Sequence, residues 1–166
     1  MKRFLAVLLT LCALLGSCER DEICLEDITP KLVIRFSDID EPSEFKPVLR
    51  LEVAIEGIEG VYEDESITLS TDSIAIPLKV TEAKTRYILT LKGNEDEGIP
   101  DNIDTLDISY TMEDIFVSRS CGYKSVFYGL QSEIIQDDDN WIKDLSTRTD
   151  PQDVTTETRY HVKIFH

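Results

Sequence analysis

Leu49, Leu51, Val53 and Ile55 form an apolar row at every second position, with Arg50, Glu52 and Glu56 on the opposite side. That period belongs to a strand with one face in a core and the other in water. It recurs along the chain in Leu32-Ile34-Phe36, Ile74-Ile76-Leu78-Val80, Tyr87-Leu89-Leu91, Leu106-Ile108-Tyr110-Met112 and Tyr160-Val162-Ile164. Ile67 and Leu69 make a shorter example. Turn chemistry separates the runs: acids and prolines over 37–47, Gly57 and Gly60, Thr71-Asp72, and Asp137 to Asn140. Val126 to Ile135 reads as a strand too, because its aromatic and β-branched residues favour one and Gly129 disfavours helix. Pro77 lacks the N–H that a ladder needs, which puts its strand on an edge or at a bulge. No amphipathic helix longer than two turns is visible. The pattern predicts an all-β domain, an immunoglobulin-like antiparallel β-sandwich of about seven to nine strands over 31–166.

The first residues follow a different rule. Lys2 and Arg3 precede an apolar run from Phe4 to Leu15, and Leu15-Gly16-Ser17 leads into Cys18. A run this short cannot remain as a helix across about 30 Å of hydrocarbon, so 1–17 reads as a signal peptide. Small residues ending in a cysteine read as a lipobox, with Cys18 the acylated residue and 18–30 a lipidated tether. The alternative is a conventional cleaved signal with an incidental cysteine. Glu19-Arg20-Asp21-Glu22 reads either as a solvated linker or as an acidic tag of the kind that resembles those on surface lipoproteins.

Processing at Cys18 leaves 149 of the 166 residues and, with Lys2 and Arg3 gone, takes the formal net charge from −16 to −18. Such a charge excludes nucleic acid as a partner, since no basic patch offsets phosphate repulsion. It also leaves acyl chains to do the anchoring, several being needed for a stable hold. Of four cysteines, Cys12 leaves with the signal and Cys18 takes the lipid. Cys24 and Cys121 then remain in an oxidising compartment, where such a pair normally closes a disulfide; the alternative is two unrelated cysteines. Cys24 precedes the first strand, and Trp141 follows both cysteines. A bridge would therefore staple the N-terminus to the domain, unlike the inter-sheet bridge of an immunoglobulin domain.

Cys18, then Asp21-Glu22-Ile23-Cys24 and Thr29-Pro30 before an apolar strand, resemble the landmarks of a family of small Bacteroidota lipoproteins of unknown function. The segment from Val117 to Lys124 and the ending His161 to His166 are similar to its other landmarks. The resemblance implies an outer-membrane envelope location, on the periplasmic or cell-surface face, and supports pairing of Cys24 with Cys121. It carries no assigned chemistry.

No catalytic residue is assigned from the residues themselves. His161 and His166 are the conventional bases near neutral pH, five positions apart on one terminal strand and hence on opposite faces. Neither Gly-x-Ser-x-Gly nor a phosphate-cradling glycine loop occurs. No cofactor is expected, and no metal site is assigned. Asn94, Asp96 and Gly98 faintly echo a calcium loop, and Asp101-Asn102-Ile103-Asp104 adds oxygens. The closing glutamate is absent, so the segment 92–105 reads first as a solvated acidic loop and second as a weak calcium site. Tyr62, Tyr87, Tyr123, Tyr128 and Trp141 are candidate sugar- or protein-binding aromatics, though core packing accounts for most such residues. The expected function is a non-enzymatic binding, accessory or structural role at a membrane, with a possible envelope protein partner. A hydrolase acting on glycan or ester is the alternative.

Overall fold

The computed structural model describes residues 23–24, 29–59 and 70–166. The signal peptide, Cys18, most of the tether, Tyr62 and the short run Ile67–Leu69 lie outside the described residues. Among those described there are eleven strands and no α-helix: β1 (Leu32–Ser37), β2 (Val48–Leu49), β3 (Leu51–Ile55), β4 (Ser70–Thr71), β5 (Ser73–Ile76), β6 (Lys84–Leu91), β7 (Asn102–Ser118), β8 (Gly122–Ile135), β9 (Asp144–Thr147), β10 (Asp153–Val154) and β11 (Val162–Phe165). Three of the eleven are two-residue pieces. The class is all-β, as the period of two requires.

The strands form a four-stranded sheet in the order β5-β1-β11-β9, a five-stranded sheet in the order β10-β8-β7-β6-β3, and a β2-β4 ribbon. The arrangement is sandwich-like. One buried cluster draws Leu32, Ile34, Phe36, Ile76, Val162 and Ile164 from the smaller sheet and Val53, Tyr87, Leu89, Leu106, Ile108, Phe127 and Leu130 from the larger. Its ladders are not all antiparallel. β1 and β11 run parallel, with Ile34 opposite Val162 and Phe36 opposite Ile164. A tight hairpin enforces antiparallel neighbours, but these strands lie at opposite ends of the domain and no short turn sets their direction. β5 sits at an edge, as Pro77 predicts, and the strand stops at Ile76 immediately before it.

One inward row is broken. Val48 is buried while Leu49 is 60% exposed, and the core side resumes at Leu51. The cause is Arg50, whose φ of 53° puts it in the left-handed region and interrupts the alternation between β2 and β3. Its carbonyl still accepts the N–H of Lys92 at 3.1 Å, so the kink is held by the neighbouring strand.

The crossover from β8 to β9 is anchored by a buried carboxylate. Asp104 on β7 accepts the N–H of Ile142 at 2.7 Å and of Trp141 at 3.3 Å. Burial raises its pKa, with those two amide donors working in the opposite direction. The Trp141 indole donates to the Leu89 carbonyl at 3.2 Å, which places the single tryptophan in the core. On the larger sheet, Arg86 grips Asp107 through two bonds of 2.7 and 3.0 Å and Lys84 pairs with the same carboxylate. The Arg86 guanidinium holds that carboxyl below its usual range.

Candidate functional site

The longest pairing in the molecule runs between β7 and β8, from Thr105 opposite Ile135 to Ser118 opposite Gly122. β6 accompanies β7 only as far as Ser109, and β10 accompanies β8 only at Phe127 and Tyr128. The remaining length projects from the larger sheet as a two-stranded arm. A bulge sits at its root, where Tyr110 faces an extra residue between Tyr128 and Gln131. Gly129 supplies the positive φ there (63°), as the glycine form of a β-bulge requires. Beyond it, Met112 faces Phe127, Asp114 faces Ser125 and Phe116 faces Tyr123. By the pleat, these pairs continue the side that carries Ile108 into the core.

At the tip the chain turns through Arg119 to Cys121, where the Ser118 hydroxyl accepts the Cys121 N–H at 3.0 Å. Cys121 is disulfide-bonded to Cys24, with Cα atoms 5.0 Å apart. Four residues up the arm, Thr29 Oγ1 accepts the Ser125 N–H at 3.3 Å. The N-terminal segment is thus tied to the arm at two places. The bridge lies outside the core and joins the tether to the far end of a ribbon. The first buried apolar residue on β8, Val126, lies four positions beyond Gly122, so burial begins about 13 Å along the strand from the staple.

The arm carries the apolar surface that the core does not use. Phe116 is 59% exposed and Tyr123 65%, and their rings meet edge to face at 5.5 Å. Ile23, next to the bridged Cys24, is 81% exposed. Between Ile115 and Lys124 no acid occurs, while Arg119 and Lys124 add two positive charges, in a chain with 33 acids. Neither cation forms an ion pair with another described residue. Within 115–124 the site holds no histidine and no carboxylate. Its features are a covalent staple, an aromatic pair and two cations at one end of the molecule.

The two histidines are placed elsewhere and apart in role. His161 is 2% exposed, and its Nδ1 accepts the Val33 N–H at 2.8 Å, completing the join between β1 and β11. Burial lowers its pKa, which the backbone of Thr156 only partly offsets. His166 packs edge-on against Trp141 and Phe36 and donates from Nε2 to the Lys46 carbonyl at 3.0 Å. Burial lowers its pKa as well. A folded ring that refuses a proton makes stability rise with pH in the window between its folded and unfolded pKa values. The contribution is present above about 6.5 and lost as the pH falls through the folded value, by at most about 2 kcal/mol per ring between pH 7 and 5. Urea unfolding at the two pH values should show this loss. His161→Asn, which keeps an acceptor near Nδ1, should reduce it, and a variant as acid-sensitive as its parent would refute the assignment.

Asp101, Asn94 and Asp104 each have separate partners within 92–105 and beyond it. Asp101 is engaged by Lys92 at 2.5 Å and by the Gly93 N–H at 2.8 Å, Asn94 Oδ1 accepts the Asp96 N–H, and Asp104 points into the crossover. Among the described residues no three acidic, histidine or cysteine side chains form a metal-binding group. Tyr87 and Trp141 are core residues, and Tyr87 donates to the Pro77 carbonyl at 2.7 Å. Tyr123 is exposed on the arm, and Tyr128 is exposed at its root, where β8 pairs with β10. Alternation assigns no functional role to Phe116, or to Arg119 and Lys124 within the landmark segment Val117–Lys124. The available signal was the ten-residue absence of acid, which alternation alone does not register.

A family model matches residues 52–166, from β3 to the last residue. The chain belongs to DUF6452, a family of unknown function. The DUF6452 match contains Cys121, the segment Val117–Lys124 and the ending His161–His166, while Cys18, Cys24 and Thr29-Pro30 precede it. No curated protein and no solved structure matches the chain. Membership in DUF6452 therefore brings a family without bringing a chemistry.

Proposed function

We propose that this protein is an outer-membrane lipoprotein, acylated at Cys18, whose β domain serves a non-enzymatic binding or accessory role for another envelope protein. The observation that carries this reading is the position of the staple. Cys24 lies six positions after Cys18, and an extended chain covers at most about 3.5 Å per residue. The Cys24–Cys121 bridge, with Cα atoms 5.0 Å apart, would therefore hold the tip of the arm within about 25 Å of the lipid attachment. A module tethered so closely reaches partners in its own membrane but cannot sweep far for a soluble target. The placement of both histidines in packing and backbone roles supports a binding role over hydrolysis.

Cys18→Ala followed by cell fractionation tests the anchor. The variant is expected to accumulate unprocessed or to leave the membrane fraction, and normal processing with normal membrane partition would overturn the reading. In-cell crosslinking with mass spectrometry tests the role. A reproducible envelope partner supports it; repeated failure to find one, together with turnover of a glycan or ester panel by the purified protein, refutes it.

A further inference from the structure

We infer that the tip of the β7–β8 arm rests in the headgroup region of the bilayer, with Phe116, Tyr123 and Ile23 as its apolar contacts and Arg119 and Lys124 facing lipid phosphates. The inference rests on the lipid anchor proposed above and adds an orientation that the anchor alone does not impose. A tether of six residues limits how far the tip can stand from the membrane, yet it allows any tilt. The surface of the tip selects one.

Phe116 and Tyr123 are more than half exposed, and they extend a face that is buried elsewhere along the same two strands. An aromatic pair with a phenol at its edge suits the interface, where one end meets hydrocarbon and the other meets water. The stretch 115–124 holds two cations and no acid, but the segment bridged to it carries Glu19, Asp21, Glu22, Glu26 and Asp27 around Cys24, so the tip suits zwitterionic phosphates and not an anionic surface. Cys121 lies in the turn between Phe116 and Tyr123 and carries the bridge to the tether, so the anchor pulls on the end that has this composition. With the arm standing on the membrane, the sandwich is held away from it by the length of the ribbon, and its loops remain available to a neighbour.

The test uses the full, lipidated protein in phosphatidylethanolamine vesicles containing acyl-brominated phosphatidylcholine, a contact quencher of tryptophan. Trp141 is 6% exposed and serves as the internal reference. Phe116→Trp, with Tyr123→Trp as a second variant, adds a reporter at an exposed position. We expect both reporters to shift to the blue and lose emission to the brominated lipid, while Trp141 in the parent protein keeps its emission. Flotation of the same samples reads the anchor separately. Protein that floats with the vesicles but whose reporters stay unquenched would overturn the docking and leave the anchor standing. Failure to float would remove both. Reporters that stay exposed in vesicles but become shielded in native membranes would assign the tip to a protein partner and overturn the proposal.

Discussion

Removing the bridge, as Cys24→Ala with Cys121→Ala, is expected to lower the unfolding free energy of the processed protein by about 2–5 kcal/mol. The two cysteines lie 97 positions apart, so the bond closes a long loop that the unfolded chain would otherwise explore freely. In the chain-entropy model a loop of that length is worth about 4–5 kcal/mol. The folded state should change little. The bridge sits at the tip of the arm, away from the buried cluster, and the paired variant leaves neither bridge cysteine as a free thiol. Urea unfolding should show a lower midpoint with an intact native β spectrum. A loss under roughly 1 kcal/mol would mean that the bridge hardly restricts the unfolded ensemble. Loss of the native spectrum would mean that it organises the core, against the placement found here. The local consequence is separate: Ile23 and its neighbour at position 24 should detach from the tip, and the proposed lipid anchor would then hold the domain through a longer, looser lead.

Asp104→Ala is expected to cost about 3 kcal/mol. The carboxylate accepts two buried amide hydrogens, from Trp141 and Ile142, and each orphaned donor costs about 1–3 kcal/mol. Those donors belong to the crossover that carries the chain from the larger sheet to β9, and Trp141 packs there on Phe36 and His166. Asp104→Asn retains one carbonyl oxygen as an acceptor and should lose roughly half as much. The difference can be read in urea midpoints and in Trp141 fluorescence, since loosening the crossover wets the indole. Equal stability of Asp104→Ala and the parent would show that water replaces the carboxylate without penalty.

Asp104 also shows where reading residues in order reaches its limit. It stands among Asn94, Asp96 and Asp101 in an acidic run, where composition describes it as solvated. In three dimensions it is fully buried, because β7 carries it beneath the returning crossover. Nothing local distinguishes it from its exposed neighbours. Leu49 is the mirror case: an apolar residue in a regular row, placed in water by the backbone turn at Arg50.

The class of fold, the strand character of Val126 to Ile135, the edge position of the strand before Pro77 and the pairing of Cys24 with Cys121 were all legible in order along the chain. Each is readable along the sequence: from a period of two, a glycine, a missing N–H or, for the cysteines, the count that remains if Cys12 and Cys18 are lost to processing and acylation. The parallel partnership of β1 and β11, the burial of Asp104 and the projection of the arm were not. These depend on which strands end first and which distant segments become neighbours. β6 stops at Ser109 while β7 continues to Ser118, and that difference in length turns an ordinary alternating strand into an exposed platform. Local periodicity decides which way a side chain points; only the assembled sheets decide whether anything is there to cover it.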